Sequence, residues 1–527
     1  MLIEAGALVR FTARRHGSAL ALAADGGGTY TFAELNELAN KIGSGFRTLG
    51  VRPGERVGLL GYNVPEMVQA WLAFEKHNIV RVALHTHCDM STHAATLNHV
   101  EASALLFDSR LRHEVEIHRD AFRTVRHFVA MGPDPPDWAT TMVDVMAGQP
   151  SSEPYMEVDE DAPCFVQLTS GTTGPPKPWV KTYRSWRAVI EHNLHHLDTL
   201  RAGEAPIGPG DVNLHFTPIQ SGSGFQTLYP YLVRGSPTFL VDDAVFDPKK
   251  VIEVLCRHGI TGTVSPGLLL VKLLDEVEAR GGIDHRLRRL VVRFATPELL
   301  ERTTKLLGPV WSHGYGSTEL GAPVTRLVAD ECTKWPRRRA GVGTPPSPFV
   351  DLIITDEQGN RLPPKDIGRI TSRSAMSDGW YWHMPDETRR SVLPGGWFQS
   401  SDLGYLDDDG FLVYVDRASD GILTPNGVVH PHLVETALLR HPGIDNVGVV
   451  GIGLPGAQEV VAAVVVKSGW SPTPELEETV RTTAASGLQT YECPSRIVFV
   501  SELPTSAGGK VVRQSLRKTL ADSATQG

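Results

Sequence analysis

Hydrophobic residues along the chain follow two alternating patterns. Short β-branched and apolar runs at residues 56–60 and 261–264 predict buried strands. The segments that follow them, 66–71 and 268–274, carry apolar residues with helical spacing. Strands that alternate with helices predict parallel sheets with covering helices, so the expected fold class is α/β.

The pattern changes twice towards the carboxyl end. The proline-rich break at 343–348 precedes a strand-like run at 349–354, which predicts a small β-barrel-like segment. After Arg417 the sequence has room for two or three strands and two helices. We therefore predict a large N-terminal domain at 1–417 and a small, mobile α+β domain at 418–527.

Composition narrows the possible functions. The chain has 527 residues, 41% hydrophobic and 21% charged, with a mean hydropathy of −0.14, values typical of folded, water-soluble proteins. Its 51 basic and 60 acidic residues give a net charge of −9, which argues against nucleic acid as a partner. The five cysteines form no CxxC pair and are odd in number, which argues against a disulfide framework. Glu4 stands where a signal peptide is basic, and no uncharged apolar run reaches the ~18 residues of a membrane span. We expect a cytoplasmic protein without a membrane partner.

The strongest local signal for chemistry is a glycine- and hydroxyl-rich segment between a predicted strand at 164–166 and a predicted helix. Backbone amides, hydroxyls and a lysine together suit a polyphosphate. Pro176 stands where a Walker loop needs glycine, so the segment is not a Walker loop. The candidate nucleotide-binding residues here are Thr169, Ser170, Gly171, Thr172, Thr173, Gly174 and Lys177.

This segment resembles the phosphate loop of the adenylate-forming superfamily, which contains acyl-CoA synthetases, firefly luciferase and the adenylation domains of peptide synthetases. Residues 315–319 resemble the family's aromatic-Gly-x-Thr-Glu motif. The resemblance implies that Tyr315 and Gly316 pack on adenine, that Thr318 binds phosphate and that Glu319 holds Mg²⁺. It implies ATP and Mg²⁺ as cofactors.

Two later motifs continue the resemblance in order. Residues 400–404 resemble the segment whose aspartate accepts hydrogen bonds from ribose, which implies this role for Asp402, with Arg417 beside it. Residues 503–513 resemble the loop that carries the catalytic lysine, which implies that Lys510 stabilises negative charge during adenylation. A carboxylate would then attack the α-phosphate of ATP, release pyrophosphate and form an acyl adenylate.

The junction after Arg417 departs from the acyl-CoA synthetase pattern. Leu423 replaces a lysine, and Pro425 and Asn426 stand where small residues line the pantetheine tunnel. Ser419 occupies the expected hinge position. Close backbone approach tolerates side chains poorly, so these changes disfavour coenzyme A and a carrier protein as acceptors.

A free amine is the acceptor that remains. The chain looks like the amide synthetases of aminocoumarin antibiotic assembly, of the novobiocic acid synthase kind, which join a benzoic acid to an aminocoumarin amine. The acyl-CoA synthetase reading stays open as the alternative.

The substrate site is less clearly marked. Gln220, Ser221 and Phe225 are candidates for lining the acyl pocket, and the resemblance places His313 at the adenine amino group, although a histidine satisfied inside a loop is almost as good a reading. A histidine usual in the family is absent at Ser221, so no base for the amine is identified. A metal site at 85–88 lacks a fourth ligand.

Two rival functions also have some support in the sequence. Residues 451–456 satisfy G-x-G-x-x-G, which would suggest a dinucleotide oxidoreductase. Pro455 and the β-branched run at 460–466 predict instead a loop between two strands. A non-catalytic adenylate-binding relative is disfavoured because Lys510 and Glu319 are retained.

Overall fold

The computed structural model describes residues 1–169, 176–200, 203–222, 224–505 and 511–524. The described strands are β1 (Leu2–Glu4), β2 (Leu20–Ala24), β3 (Thr29–Thr31), β4 (Arg56–Leu60), β5 (Val80–Leu84), β6 (Ala104–Asp108), β7 (His127–Met131), β8 (Thr140–Thr141), β9 (Glu157–Asp159), β10 (Pro163–Leu168), β11 (Pro178–Thr182), β12 (Asn213–His215), β13 (Thr238–Leu240), β14 (Gly262–Pro266), β15 (Arg289–Arg293), β16 (Trp311–His313), β17 (Leu327–Val328), β18 (Asp351–Thr355), β19 (Gly368–Arg373), β20 (Gly379–Tyr381), β21 (Val392–Leu393), β22 (Trp397–Leu406), β23 (Leu412–Arg417), β24 (Ile422–Thr424), β25 (Gly427–Val429), β26 (Ile444–Ile452), β27 (Glu459–Val466) and β28 (Arg496–Phe499). The described helices are α1 (Ala7–His16), α2 (Phe32–Thr48), α3 (Pro65–Lys76), α4 (Met90–His99), α5 (Arg112–Ile117), α6 (Met142–Met146), α7 (Tyr183–Asp198), α8 (Gly224–Val233), α9 (Pro248–Arg257), α10 (Gly267–Ala279), α11 (Pro297–Leu307), α12 (Ala329–Lys334), α13 (Pro385–Ser391), α14 (Pro431–Leu438), α15 (Pro474–Ala485) and α16 (Arg513–Ala524).

The first large sheet has eight strands in the order β20-β11-β10-β5-β4-β6-β7-β8. Strands β10, β5, β4, β6, β7 and β8 are parallel, whereas β11 runs antiparallel to both β10 and β20. The side chains of β5 and β6 are all buried, because helices cover both faces of the sheet. The strand predicted at 56–60 is β4.

The second large sheet has the order β17-β16-β15-β14-β12-β13-β2-β3, with a parallel centre. Helix α7 begins at a capping box in which Thr182 and Ser185 each accept from the other's backbone amide. Helix α8 connects β12 to its parallel neighbour β13, so it runs back across the sheet and its first turn lies at the carboxyl edge. That edge is where open α/β sheets bind ligands.

An antiparallel five-stranded sheet follows, in the order β18-β19-β22-β21 with β23 paired to β22. It supplies the β-rich segment that the sequence predicts after residue 348. Its last strand ends at Arg417, where the domain boundary was predicted from sequence. The boundary itself stays a prediction.

The carboxyl-terminal part has a separate three-stranded sheet, β26-β27-β28, and its own apolar cluster. Strand β26 ends at Ile452 and pairs antiparallel with β27, which begins at Glu459. The G-x-G-x-x-G segment is therefore the end of β26 and the hairpin loop that follows it, between two strands as predicted, and it opens no helix. Together these layers confirm the predicted α/β fold class with a small carboxyl-terminal α+β part.

Within the described ranges, each helix is too short or too polar to cross a bilayer.

Candidate active site

The phosphate-loop segment starts at the carboxyl end of β10. The amide of Thr169 donates to the carbonyl of Lys177 at 3.0 Å, and the amide of Lys177 donates to the Thr169 hydroxyl at 3.0 Å. These two bonds bring the ends of the segment together. Ser170, Gly171, Thr172, Thr173 and Gly174 lie outside the described residues.

The ammonium group of Lys177 forms an ion pair with Glu387, and its side chain is 41% exposed. Its Nζ lies 5.8 Å from the centre of the Tyr381 ring. The lysine that the sequence predicts for phosphate binding therefore already has a carboxylate partner, which an incoming anion would have to replace.

Glu319 lies in the loop between β16 and β17, where two neighbouring strands hold it. The Tyr381 hydroxyl on β20 donates to Glu319 Oε1 at 2.7 Å. Lys181 Nζ on β11 donates to the Glu319 backbone carbonyl at 3.0 Å and to the carbonyl of Met376 at 2.6 Å. The second carboxylate oxygen, Oε2, makes no hydrogen bond within the described chain.

Lys181 was not identified from the sequence, although it lies beside this motif. Its side chain is 1% exposed, and burial lowers its pKa to about 7, against the opposing effects of Glu319 and Asp378. A buried lysine in a strand belongs to no short motif. Its position follows from the pairing of β11 with β20, which are about two hundred residues apart.

The motif loop is tightly folded. A Cβ on Gly316 would lie 2.8 Å from the carbonyl oxygen of Gly321, closer than side chains approach backbone. A Cβ on Gly222 would lie 3.8 Å from the Thr318 hydroxyl oxygen. Thr318 therefore lies against the segment that carries Gln220 and Ser221.

Tyr315, Asp402 and Arg417 meet as a second group. The Tyr315 hydroxyl donates to Asp402 Oδ2 at 2.7 Å, and Arg417 Nε lies 3.3 Å from Asp402 Oδ1. Antiparallel pairing of β22 with β23 sets Asp402 directly opposite Arg417. The structure thus brings together three residues that the sequence assigned to adenine and ribose, while their roles stay predictions.

His313 ends β16 and is almost fully buried, at 8% exposure. Its Nδ1 lies 3.1 Å from the carbonyl oxygen of Val292, so this nitrogen donates the proton. Burial lowers the pKa of His313 to about 4, which keeps the ring neutral at pH 7. A neutral ring can offer its other nitrogen as an acceptor to an amino group.

The predicted acyl residues occupy the loop before α8 and its first turn. Gln220 is 1% exposed, and its backbone carbonyl accepts from Gln167 Nε2 at 2.9 Å. The Ser221 amide donates to the carbonyl of Pro218 at 3.0 Å.

The side chain of Phe225 lies in the core. Its ring stacks on the indole of Trp71 at 3.6 Å, and only 1% of it is exposed. The guanidinium of Arg81 lies on the same indole, 3.2 Å from its centre, with Phe165 at 3.8 Å. Phe225 therefore supports the wall of this region through core packing, and a direct contact with substrate stays a prediction.

Ser419 lies in a single turn directly after β23, and its hydroxyl is 3.4 Å from Asp420 Oδ1. Asp420 also pairs with Arg513 at 3.4 Å, and Arg513 donates to both carboxylate oxygens of Glu435 at 2.8 Å. These contacts fix the start of α16 beside the predicted hinge. Lys510 lies outside the described residues.

The carboxylate of Glu319 fits the way proteins hold Mg²⁺, which keeps waters and uses one or two carboxylates with substrate phosphates. A complete protein cage is not needed for that arrangement. In the described ranges no group of three or more His, Cys, Asp and Glu side chains is placed to hold a metal ion. His85 and His87 stack with their ring centres 5.3 Å apart.

Known proteins with similar sequences belong to the family that the site residues indicate. The family model for AMP-binding enzymes matches residues 9–382, and the model for their C-terminal domain matches 433–510. A long-chain-fatty-acid–CoA ligase of Thermus thermophilus is 30% identical over 499 residues, covering 93% of this chain and 90% of the relative.

Two solved structures share the fold. The anthranilate CoA ligase AuaEII, in complex with anthranoyl-AMP, superimposes with a TM-score of 0.88 at 22% identity, covering 99% of this chain and 98% of that one. The amide bond synthetase McbA from Marinactinospora thermotolerans superimposes with a TM-score of 0.85 at 24% identity, covering 98% of this chain and all of that one.

The chain belongs to the AMP-binding enzyme family and is an AMP-forming ligase that uses ATP with Mg²⁺.

Proposed function

We propose that this enzyme converts a carboxylic acid to its acyl adenylate and transfers the acyl group to an amine, forming an amide with release of AMP and pyrophosphate. The observation that carries the amide step is the hairpin after the predicted hinge. In this hairpin Leu423 replaces the lysine of the acyl-CoA synthetase pattern, and Pro425 and Asn426 replace its small residues.

ATP binding involves the residues around the phosphate loop and Glu319 and the group formed by Tyr315, Asp402 and Arg417. The Tyr315 ring lies against adenine, and Asp402 accepts from the ribose hydroxyls while Arg417 lies beside its carboxylate. His313 accepts from the adenine amino group. Phosphate binding is assigned to residues 169–174 and Lys177, and Thr318 adds a hydroxyl there.

Glu319 would hold Mg²⁺, which, when bound, neutralises charge on the phosphates. The substrate carboxylate attacks the α-phosphorus, and its oxygen forms a bond as the bond to pyrophosphate breaks. Lys510 supplies positive charge to the carboxylate and the α-phosphate as negative charge redistributes. Rotation about Ser419 then moves the small domain and admits the second substrate.

The hairpin formed by β24 and β25 supports an acceptor other than a thiol arm. Leu423 pairs with Val428 across the hairpin, and the two side chains are 42% and 46% exposed. Pro425 and Asn426 form its turn. An apolar pair and a rigid proline take the place of the small and cationic residues expected beside a phosphopantetheine arm, so a free amine is the favoured acceptor.

The identity of the two substrates is assigned by the resemblance to the aminocoumarin amide synthetases. The acid is a substituted benzoic acid and the amine an aminocoumarin, as in antibiotic biosynthesis in the cytoplasm, without a carrier protein. The alternative is an aryl- or acyl-CoA synthetase. The 30% identity to the Thermus long-chain-fatty-acid–CoA ligase favours this alternative.

A product assay separates the two. Acids are first screened for pyrophosphate release with Mg·ATP, and each active acid is then incubated separately with an aminocoumarin or with coenzyme A. Mass spectrometry identifies the product. An amide is expected from the amine, and no thioester from coenzyme A. A thioester formed as fast as the amide would assign the chain to the CoA synthetases.

A further inference from the structure

Arg293, the last residue of β15, makes no hydrogen bond or ion pair within the described chain. Its Nε is buried without a partner, and no acidic side chain offsets the effect of burial on its guanidinium. Burial lowers its pKa only to about 10, so the group stays charged at pH 7. The side chain as a whole is partly buried, and a ligand that supplies a counter-charge would stabilise a partly buried cation that has none.

The strand register shows which way Arg293 lies. Val264 and Val291 are paired across β14 and β15 and share one apolar cluster with Tyr231 of α8. Side chains two residues apart lie on the same face of a strand, so Arg293 lies on this α8 face, one step closer to the carboxyl edge. The first turn of α8 lies at that edge too, with the predicted acyl residues before it.

Other polar atoms on this face also lack partners. The hydroxyl of Ser312 on β16 is buried without a hydrogen bond in the described residues. Gln226 Oε1, in the first turn of α8, is likewise unpartnered. Buried polar atoms in native proteins take up hydrogen bonds from protein, ordered water or a ligand, so these atoms can bond to a polar ligand.

The backbone next to Arg293 is strained. Phe294 has a φ of 55°, a left-handed conformation uncommon for a residue with a side chain, and 67% of its side chain is exposed. Its carbonyl oxygen would lie 2.3 Å from a Cβ on Gly267, so this position accepts only glycine. Strain of this kind concentrates at ligand sites.

We propose that the acid activated by this enzyme carries a second anionic group, a carboxylate, that pairs with Arg293. The proposal rests on the adenylation step of the proposed function and names the class of its acid substrate. A long alkyl chain would leave Arg293 and the polar atoms around it unpaired.

The nucleotide is the less suitable partner for Arg293. Asp402 joins Tyr315 and Arg417 at the five-stranded sheet, whereas Arg293 faces α8. His313, predicted at the adenine amino group, is paired with Val292 and so faces the other side of β15, although the charge of Arg293 is near enough to add to the effect of burial in lowering the pKa of His313. The second carboxylate therefore lies at the inner end of the acyl pocket, while the reacting carboxylate points towards the ATP phosphates.

The test compares an isosteric pair of acids, benzene-1,3-dicarboxylate and its monoamide 3-carbamoylbenzoate, in the pyrophosphate-release assay. The wild type should prefer the diacid at least about tenfold in kcat/KM. Arg293→Met should lower kcat/KM for the diacid by about 30-fold or more, because loss of one partner of a buried charge pair leaves the other unpaired. It should change the monoamide value less than about threefold and leave the KM for ATP unchanged.

Arg293→Lys should restore part of the preference, and the exposed Arg286→Met is the matched control that should keep all of it. Circular dichroism establishes that each variant folds.

A wild type that uses the monoamide as well as the diacid overturns the proposal, as does a preference that survives in Arg293→Met or a rise in the KM for ATP alone. If the 1,3-diacid is inactive, the 1,2- and 1,4-isomers are compared with their monoamides, and activity confined to monoacids also overturns it. Release of no pyrophosphate with any acid would instead contradict adenylation itself, and with it the proposed function.

Discussion

The hydroxyl of Tyr381 donates a 2.7 Å hydrogen bond to the carboxylate of Glu319, sixty-two residues earlier in the chain. The bond joins the sheet edge formed by β20 to the loop that carries the predicted Mg²⁺ ligand. Lys181, on the strand next to β20, fixes the backbone of the same loop. The position of Glu319 therefore depends on two residues outside any recognised motif.

Removal of the Tyr381 hydroxyl tests this dependence. Tyr381→Phe should raise the Mg²⁺ concentration needed for half-maximal pyrophosphate release and lower kcat about tenfold, since a hydrogen bond to a charged group contributes about 1.5–3 kcal/mol. Tyr30→Phe, at the edge of the second sheet, is the matched control. An unchanged Mg²⁺ requirement in Tyr381→Phe would show that Glu319 needs no such support.

Lys181 should make stability depend on pH. Burial lowers its pKa from an ordinary value of 10.5 to about 7. Between these two values the unfolded chain holds a proton that the folded chain has lost, so the unfolded state binds more protons and stability rises with pH. The stabilisation is lost as pH falls towards 7.

The free energy of unfolding of the wild type, relative to Lys181→Met, should therefore increase by about 1.4 kcal/mol per pH unit between pH 7 and pH 9. Urea unfolding of both proteins at several pH values measures the difference, in which other titrating groups cancel. Parallel pH profiles would mean that Lys181 keeps an ordinary pKa in the folded protein.

Asp402→Asn should raise the KM for ATP roughly 10- to 100-fold with a smaller effect on the KM for the acid. The amide keeps the size of the carboxylate but removes the charge that faces Arg417 at 3.3 Å and gives up acceptor capacity for ribose. Steady-state kinetics with each substrate varied in turn measures the split. Asp409→Asn, in an exposed turn, is the control. Equal effects on the KM for ATP and the KM for the acid would show that Asp402 does not bind the nucleotide.

Lys510→Ala should abolish most pyrophosphate release while ATP still binds with a Kd within about threefold of wild type, because its charge is needed in the transition state more than in the ground state. Isothermal titration calorimetry and the pyrophosphate assay report the two quantities. Lys467→Ala, an exposed lysine of the same small domain, should leave both unchanged. Adenylation at a near wild-type rate in Lys510→Ala would require another catalytic residue.

Local sequence patterns predicted the fold class and the grouping of several site residues. The strand at 164–166 and the helix after it are β10 and α7, because hydrophobic spacing reports burial directly. Tyr315, Asp402 and Arg417 come together as the resemblance implied. Phe225, expected beside the substrate, stacks on Trp71, and its contact with substrate stays a prediction because one residue's hydrophobicity does not distinguish a pocket wall from a core.

The supporting residues could not be predicted in the same way. Lys181 and Tyr381 act through the pairing of β11 with β20, and Glu435 acts through Arg513, both long-range contacts that leave no trace in local spacing. From the sequence alone, a charged residue at the end of a strand, such as Arg293, is interpreted as an ordinary surface residue. Only the strand register shows which face of the sheet its side chain occupies.

The fate of a preformed acyl adenylate tests the central claim most directly. The enzyme is loaded with an active acid and Mg·ATP, freed of excess nucleotide, and mixed rapidly with an aminocoumarin amine or with coenzyme A while the adenylate is followed by quenched-flow chromatography. We predict that the amine accelerates loss of the adenylate at least about tenfold over hydrolysis and yields the amide, whereas coenzyme A does not accelerate it. Acceleration by coenzyme A with formation of a thioester, and none by the amine, would contradict the account.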